Sequence, residues 1–264
     1  MIFDVLKRSL TSARVPIPIE ALLGDCNGGR MPEVRPALLT SIVARRIVDA
    51  CSTSALGIEE TNGSVRLTLS YAECIGCNRC IEVSEGALAP AARFVPCGVG
   101  KPGLIRRWDL ESRQEIASNE AVMRETGKQI GAIVGRALNI RQVDGGSCNG
   151  CEAEITALNN PYYDLERFGM HFVASPKHAD MLLVTGPITR NMEEAVKNTY
   201  EATPSPKLVV AVGACGCNGG IFAGSHAVAG GIDAVIPVDG YIPGCPPTPA
   251  MLLTGILQVL RLRK

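Results

Sequence analysis

The chain is expected to fold as an α/β protein, a parallel sheet flanked by helices, preceded by a small α+β domain. Three observations lead there. From residue 139 onward, strand-like apolar runs alternate with helical patterns, which is how a parallel sheet covered by helices reads. Up to about residue 108 the texture differs, with short apolar pieces broken by Pro and Gly, as in a domain held together by a cofactor. The 264 residues also suit two modest cores better than one. The expected division is a domain at 1–108, a linking helix within 109–138 and the α/β domain at 139–264.

In chain order, residues 1–10 place Ile2, Phe3, Leu6 and Leu10 on one helical face, able to pack on its own domain or to dock on a partner. Residues 118–138 set Val122, Ile130, Ile133, Val134 and Leu138 at helical spacing, with Ser118 or Asn119 as N-cap. Strands are expected at 139–143, 171–174, 181–185, 208–212 and 234–238, each followed by Gly, Pro or a small polar residue. Helices are expected at 151–158, 191–202 and 247–262, the last with Pro in its first turn, where a missing N–H costs nothing.

Lys plus Arg equals Asp plus Glu at 26 each, so no basic excess marks nucleic acid or an anionic surface as the main partner; a protein partner is expected. Aromatic residues make up 4% of the chain, and 28 Gly with 17 Pro suit tight loops around fixed sites. No apolar run reaches the ~18 residues of a membrane-spanning helix. The first twenty residues lack a long apolar core with a cleavage site, and Arg45-Arg46 and Arg106-Arg107 lie too deep for a twin-arginine signal. The expected compartment is the cytoplasm.

Eleven cysteines fall in close groups, which reads as metal binding; the competing disulfide framework belongs to small secreted domains. Cys148 and Cys151 follow the first expected strand of the α/β domain, Cys215 the fourth and Cys245 the fifth. Ligands gather at such strand ends because loops from several strands converge there. Four thiolates from three loops suit one 4Fe-4S cube. Gly145-Gly146-Ser147, Gly213-Ala214-Cys215-Gly216 and Pro243-Gly244-Cys245-Pro246 can bend around it, and the helix starting near Cys151 would aim N–H groups at its charge. Zinc is the competing metal, but four-cysteine zinc sites usually pair two C-x-x-C knuckles and this half has one. Cys217 is the ambiguous member: alternate ligand, spectator or support for the cluster, with position in the loop favouring Cys215. His171, His178 and His226 have no ligand-type neighbours in sequence, and no Ser-His-Asp or Cys-His arrangement marks a hydrolase.

The run Asp144-Gly-Gly-Ser-Cys-Asn-Gly-Cys-Glu152, then Asn159-Asn-Pro-Tyr-Tyr-Asp164, Gly186-Pro187, Gly213-Ala-Cys215 and Pro237-Val-Asp-Gly-Tyr-Ile-Pro-Gly-Cys-Pro-Pro247, resembles the small subunits of membrane-associated nickel-iron hydrogenases of the formate hydrogenlyase type. These are similar in turn to the quinone-side iron-sulfur subunit of respiratory complex I. That subunit typically carries adjacent cysteines at the first position; the spaced Cys148-x-x-Cys151 favours the hydrogenase branch. The resemblance implies a flavodoxin-like sheet and a proximal 4Fe-4S cluster on Cys148, Cys151, Cys215 and Cys245, beside a nickel-iron centre in a separate large subunit. It implies further iron-sulfur or formate dehydrogenase-type subunits, membrane subunits, and a peripheral place on the cytoplasmic face of the inner membrane. Glu152 would be a proton relay toward the partner's active site or, equally, a helix-start carboxylate.

Cys74-Ile-Gly-Cys77-Asn-Arg-Cys80 is the C-x-x-C-x-x-C run of bacterial ferredoxins, whose fourth ligand comes from the other half of the sequence. Cys51 stands there, in Cys51-Ser-Thr-Ser-Ala-Leu56; Cys26 and Cys97 are the competing candidates. Ferredoxin spacing would put the other cluster's ligands at Ser41, Ala44, Ile47 and Ser84, so all four are missing while the first four remain. The opening, with Gly28-Gly-Arg-Met-Pro-Glu33, also resembles the ferredoxin-like subunits that accompany these hydrogenases. The expected function is electron transfer through two 4Fe-4S clusters as a hydrogenase subunit whose active site lies in another chain. The alternatives are the same role in a complex-I-like quinone reductase or proton-pumping complex, and a stand-alone iron-sulfur redox sensor.

Overall fold

The computed structural model describes residues 30–61, 63–91, 97–98, 100–116 and 137–261. Cys26, the amphipathic stretch at 1–10 and nearly all of the linking helix lie outside the described residues.

The N-terminal half runs β1 (Pro32–Val34), α1 (Ser41–Asp49), β2 (Leu56–Thr61), β3 (Ser64–Ser70), α2 (Arg79–Glu82), β4 (Leu88–Pro90), β5 (Ile105–Asp109) and β6 (Glu115–Ile116). This order contains two β-α-β units, β1-α1-β2 and β3-α2-β4. Their outer strands β1 and β4 pair antiparallel, and their inner strands β2 and β3 form an antiparallel hairpin that β5 and β6 widen to four strands. Thr40 starts α1 by accepting the Val43 N–H at 3.3 Å, and the helix buries Val43, Ala44 and Ile47 along one stripe.

The C-terminal half runs β7 (Leu138–Asp144), α3 (Gly150–Ala157), β8 (Met170–Phe172), β9 (Met181–Thr185), β10 (Ile188–Thr189), α4 (Arg190–Ala202), β11 (Leu208–Val212), α5 (Gly213–Asn218), β12 (Val228–Gly230), β13 (Gly240–Ile242) and α6 (Pro249–Arg261). Five strands form a wholly parallel sheet in the order β13-β11-β9-β7-β8. Every residue of β9 and β11 is buried, because both faces of the sheet are covered. On one face Leu183, Val210 and Val212 pack with Leu252, Leu253 and Ile256 of α6 and Ile155 of α3. On the other, Leu182, Val184, Val209 and Ala211 belong to an apolar cluster that continues through the N-terminal half to Leu67 and Trp108. The halves also meet through backbone: Gly98 and Tyr241 exchange N–H···O bonds of 3.2 and 2.9 Å.

The α/β expectation and its antiparallel companion are both realised, with one strand misplaced. Residues 234–238 are not a strand. Ile232–Ala234 forms a 3-10 turn, and pairing begins only at Gly240. Pro237 has no N–H to give a ladder, so the run serves as a connector that buries only Ile236. Asp239 then ties the chain to β11, its N–H donating to Val209 O at 2.8 Å and its carboxylate accepting the Val209 N–H at 2.8 Å. The expected loop around Cys215 is likewise a short helix, α5.

Candidate metal centres

In the N-terminal half, Cys51 leaves the end of α1, while Cys74 and Cys77 lie in the loop entering α2 and Cys80 within it. All four line one cavity with Ala55, Leu56, Leu69 and Gly76. The backbone N–H groups of Gly76 beside Cys74 and of Ile81 beside Cys80 partly offset the burial of those thiols. Burial and the neighbouring sulfurs push the Cys74 thiol up to about 12 and the Cys80 thiol to about 11. Of the four ferredoxin positions without cysteine, Ala44 and Ile47 are fully buried in the apolar core. Ser84, also fully buried, donates to Ile81 O at 2.8 Å and accepts the Leu88 N–H at 3.1 Å. Side-chain packing occupies the inner part of that second position.

In the C-terminal half the turn after β7 is built by Asp144, whose carboxylate accepts the N–H groups of Gly146 and Ser147 at 2.8 and 2.7 Å. Asn149 at φ 67° then starts α3, so Cys148 lies just before the helix and Cys151 in its first turn. Three segments interlock here. The Ala214 N–H donates to Gly244 O at 2.7 Å, and a Cβ placed on Gly213 would stand 2.7 Å from Cys151 Sγ. One on Gly150 would stand 3.5 Å from Cys148 Sγ and 3.9 Å from Pro246. Gly213 itself has φ +79°, a conformation an L side chain resists, so backbone strain and sulfur both demand glycine. Burial raises the thiols of Cys151, Cys215 and Cys245, Cys215 to about 11, and the nearby Cys148 reinforces each shift. Glu152 adds to the shifts of Cys151 and Cys215. It is buried, and neither carboxylate oxygen has a hydrogen-bond partner among the described residues.

Cys217 is 0% exposed and belongs to the apolar core with Val184 and Ile232. At 3.6 residues per turn, positions two apart on α5 face away from each other, so Cys215 and Cys217 serve opposite sides of the helix. Cys97 is buried as well, against Gly255 of α6, and does not line the N-terminal cavity.

Both donor sets are sulfur-only, as a cubane requires. Among the described residues no three His, Cys, Asp or Glu side chains converge as a single metal ion would need. In the N-terminal half the four thiols line one cavity instead, which fits a larger inorganic core. Shielded thiols of raised pKa remain protonated until a cationic centre displaces the protons.

The loop between Cys74 and Cys77 and the loop of Cys245 share a cleft. This cleft, of about 340 Å³, has Arg30, Met31, Ile75 and Gly76 on one side and Glu154, Gly244, Cys245 and Pro246 on the other. Sequence reasoning missed Arg30 and Glu154, because nothing local signals that residues so far apart share a cavity.

The fold thus places Cys148, Cys215 and Cys245 just beyond the carboxyl ends of β7, β11 and β13, with Cys151 one helical turn on from Cys148. Residues 148–259 match the family described as NADH ubiquinone oxidoreductase, 20 Kd subunit. A probable membrane-bound hydrogenase subunit of Pyrococcus furiosus is 48% identical over 132 residues, which are 50% of this chain and 79% of that one. Formate hydrogenlyase subunit 7 of Escherichia coli is 50% identical over 127 residues, 48% of this chain and 50% of that protein. An NADH-quinone oxidoreductase subunit of Citrifermentans bemidjiense is 48% identical over 109 residues, 41% of this chain and 64% of that one. The chain belongs to the 20 kDa subunit family, whose members bind a 4Fe-4S cluster.

Proposed function

We propose that the chain is the electron-wiring subunit of a membrane-associated hydrogenase complex. It holds one 4Fe-4S cluster on Cys148, Cys151, Cys215 and Cys245 and a second on Cys51, Cys74, Cys77 and Cys80. The observation that carries the reading is that one chain gathers two separate four-cysteine sets, one lining a single cavity and the other brought together around Cys151, with Cys245 and the Ile75-Gly76 turn lining a common cleft. The first set lies within the family match; the second lies outside it, in a region read as a ferredoxin-like domain (1–108) joined through 109–138 to the α/β domain (139–264). The spaced cysteine pair and the hydrogenase relatives support this assembly over a quinone reductase.

Each cube, when bound, accepts and returns a single electron. The chain's own residues hold it with sulfur, shield it with Leu56 and Leu69 in one half and Pro246 in the other, and direct backbone N–H groups at sulfur. Glu152, buried beside Cys151 with neither carboxylate oxygen partnered among the described residues, is the candidate for a polar relay toward the large subunit. Bond chemistry falls to a hydrogenase-like large subunit. Further iron-sulfur or formate dehydrogenase-type subunits and membrane subunits complete the assembly. No helix among the described residues is long and apolar enough to cross a membrane, in keeping with a peripheral place on its cytoplasmic face.

Cys51→Ser in the assembled complex tests the reading. Once subunit composition is verified, hydrogen turnover with an external redox partner should fall while hydrogen-isotope exchange, which needs only the partner's metal, persists. Full turnover in the assembled variant would remove the N-terminal site from the electron path.

A further inference from the structure

Arg30 lies against the cysteine loop of the N-terminal half. A Cβ on Gly76, between Cys74 and Cys77, would stand 3.0 Å from Arg30 Cβ and 3.5 Å from its carbonyl oxygen. Gly76 also has φ +64°, so glycine at this position allows both the turn and the close approach. This contact fixes the base of the Arg30 side chain beside the N-terminal set, and the same residue lines the cleft whose far wall carries Cys245. On that far wall stands one carboxylate, Glu154.

We infer that Arg30 is a tuning residue for electron transfer, a permanent cation in the cleft that favours the reduced state of the N-terminal cysteine site. This rests on the function proposed above. The transfer it serves moves one electron between the two sites, oxidising one as it reduces the other, and requires no bond or proton to move. Reduction adds a negative charge, and a guanidinium that never deprotonates, carried on an exposed side chain whose base lies against the cysteine loop, stabilises that charge. Glu154 acts with the opposite sign from the opposite wall, so the pair makes the N-terminal site the easier to reduce and the C-terminal site the harder. The cleft thus carries a built-in bias on the direction of electron flow.

The test is a redox titration of the reconstituted full chain, followed by electron paramagnetic resonance at low and high ionic strength. Arg30→Gln should lower the N-terminal midpoint, shifting the reduced-to-oxidised ratio at fixed potential by about tenfold, ~59 mV for one electron. About 1 M salt should shrink the shift, because screening acts on a charge and not on packing. Arg30→Lys should retain the wild-type midpoint, and Glu154→Gln should raise the C-terminal one. Unchanged midpoints in Arg30→Gln with both signals present overturn the inference and leave the wiring function standing. Equal shifts in Arg30→Gln and Arg30→Lys assign the effect to packing and overturn it too. A wild-type chain with only one cluster signal overturns both the inference and the function beneath it.

Discussion

Gly213→Ala is the sharpest probe of the C-terminal site, because the new methyl would meet a sulfur and not an adaptable side chain. Its Cβ would stand 2.7 Å from Cys151 Sγ, whereas carbon contacts settle at about 3.5–4.0 Å, so the sulfur must retreat by roughly 1 Å. Metal–ligand distances tolerate about 0.2 Å, so Cys151 can no longer share a core with the other three cysteines. Backbone strain at φ +79° adds about 1–2 kcal/mol. Gly169→Ala supplies the control: φ is +72°, yet nothing lies within 4 Å of the added carbon. It should lower Tm by about 2–8 °C, following from about 1–2 kcal/mol in a chain of this size, and leave metal loading intact. Iron and acid-labile sulfide should read about eight irons per chain in wild type and Gly169→Ala, as two cubes require. Gly213→Ala should read about four and retain the N-terminal signal. Full iron in Gly213→Ala would show that Cys151 is no ligand; a matching loss in Gly169→Ala would show that strain alone empties the site.

Cys217→Ala should retain the C-terminal cluster signal and lose about 1 kcal/mol in denaturant unfolding, the cost of one atom removed from a sealed core. Cys215→Ala should abolish that signal, and the reverse pattern would exchange the two assignments. Asp109 accepts the N–H groups of Glu111 and Ser112 and the Ser112 hydroxyl, which hold its carboxyl below the usual range. A carboxyl lowered in the folded state adds stability above its unfolded pKa of about 3.9, lost as pH falls through the folded value. The Tm gap between wild type and Asp109→Ala should therefore be widest near neutral pH and narrow progressively as pH falls below the unfolded value of about 3.9. A gap that stays constant with pH would refute the ionic origin.

How much was legible depended on whether local sequence or distant contact decides a feature. Met181–Thr185 and Leu208–Val212 were readable to the residue, since a five-residue apolar run covered on both faces leaves little else. The run at 234–238 is as apolar, and only Pro237 and the tie between Asp239 and β11 show why the ladder starts later. Gly213–Asn218 has weak helix propensity, and α5 is braced by the bond from Ala214 to Gly244 in a loop that local reading cannot anticipate. That helix in turn orients Cys215 and Cys217, which spacing alone left open. The cysteine groups were visible from their spacing, whereas the cleft between them depends on Arg30 meeting Gly76, a pairing with no local trace.

The backbone exchange between Gly98 and Tyr241 has a protective consequence. β13 closes one side of the parallel sheet, and a terminal strand of this kind offers unpaired N–H and C=O groups to any passing chain. Gly98 takes both main-chain groups of Tyr241, and Lys101 anchors the covering segment through a 2.7 Å ion pair with Asp233. At the opposite side, β8 spans only Met170–Phe172, too short a template to recruit a stranger. The N-terminal half thus serves as a guard rail for the sheet, and a chain severed ahead of β7 would be the one to stick to its own kind.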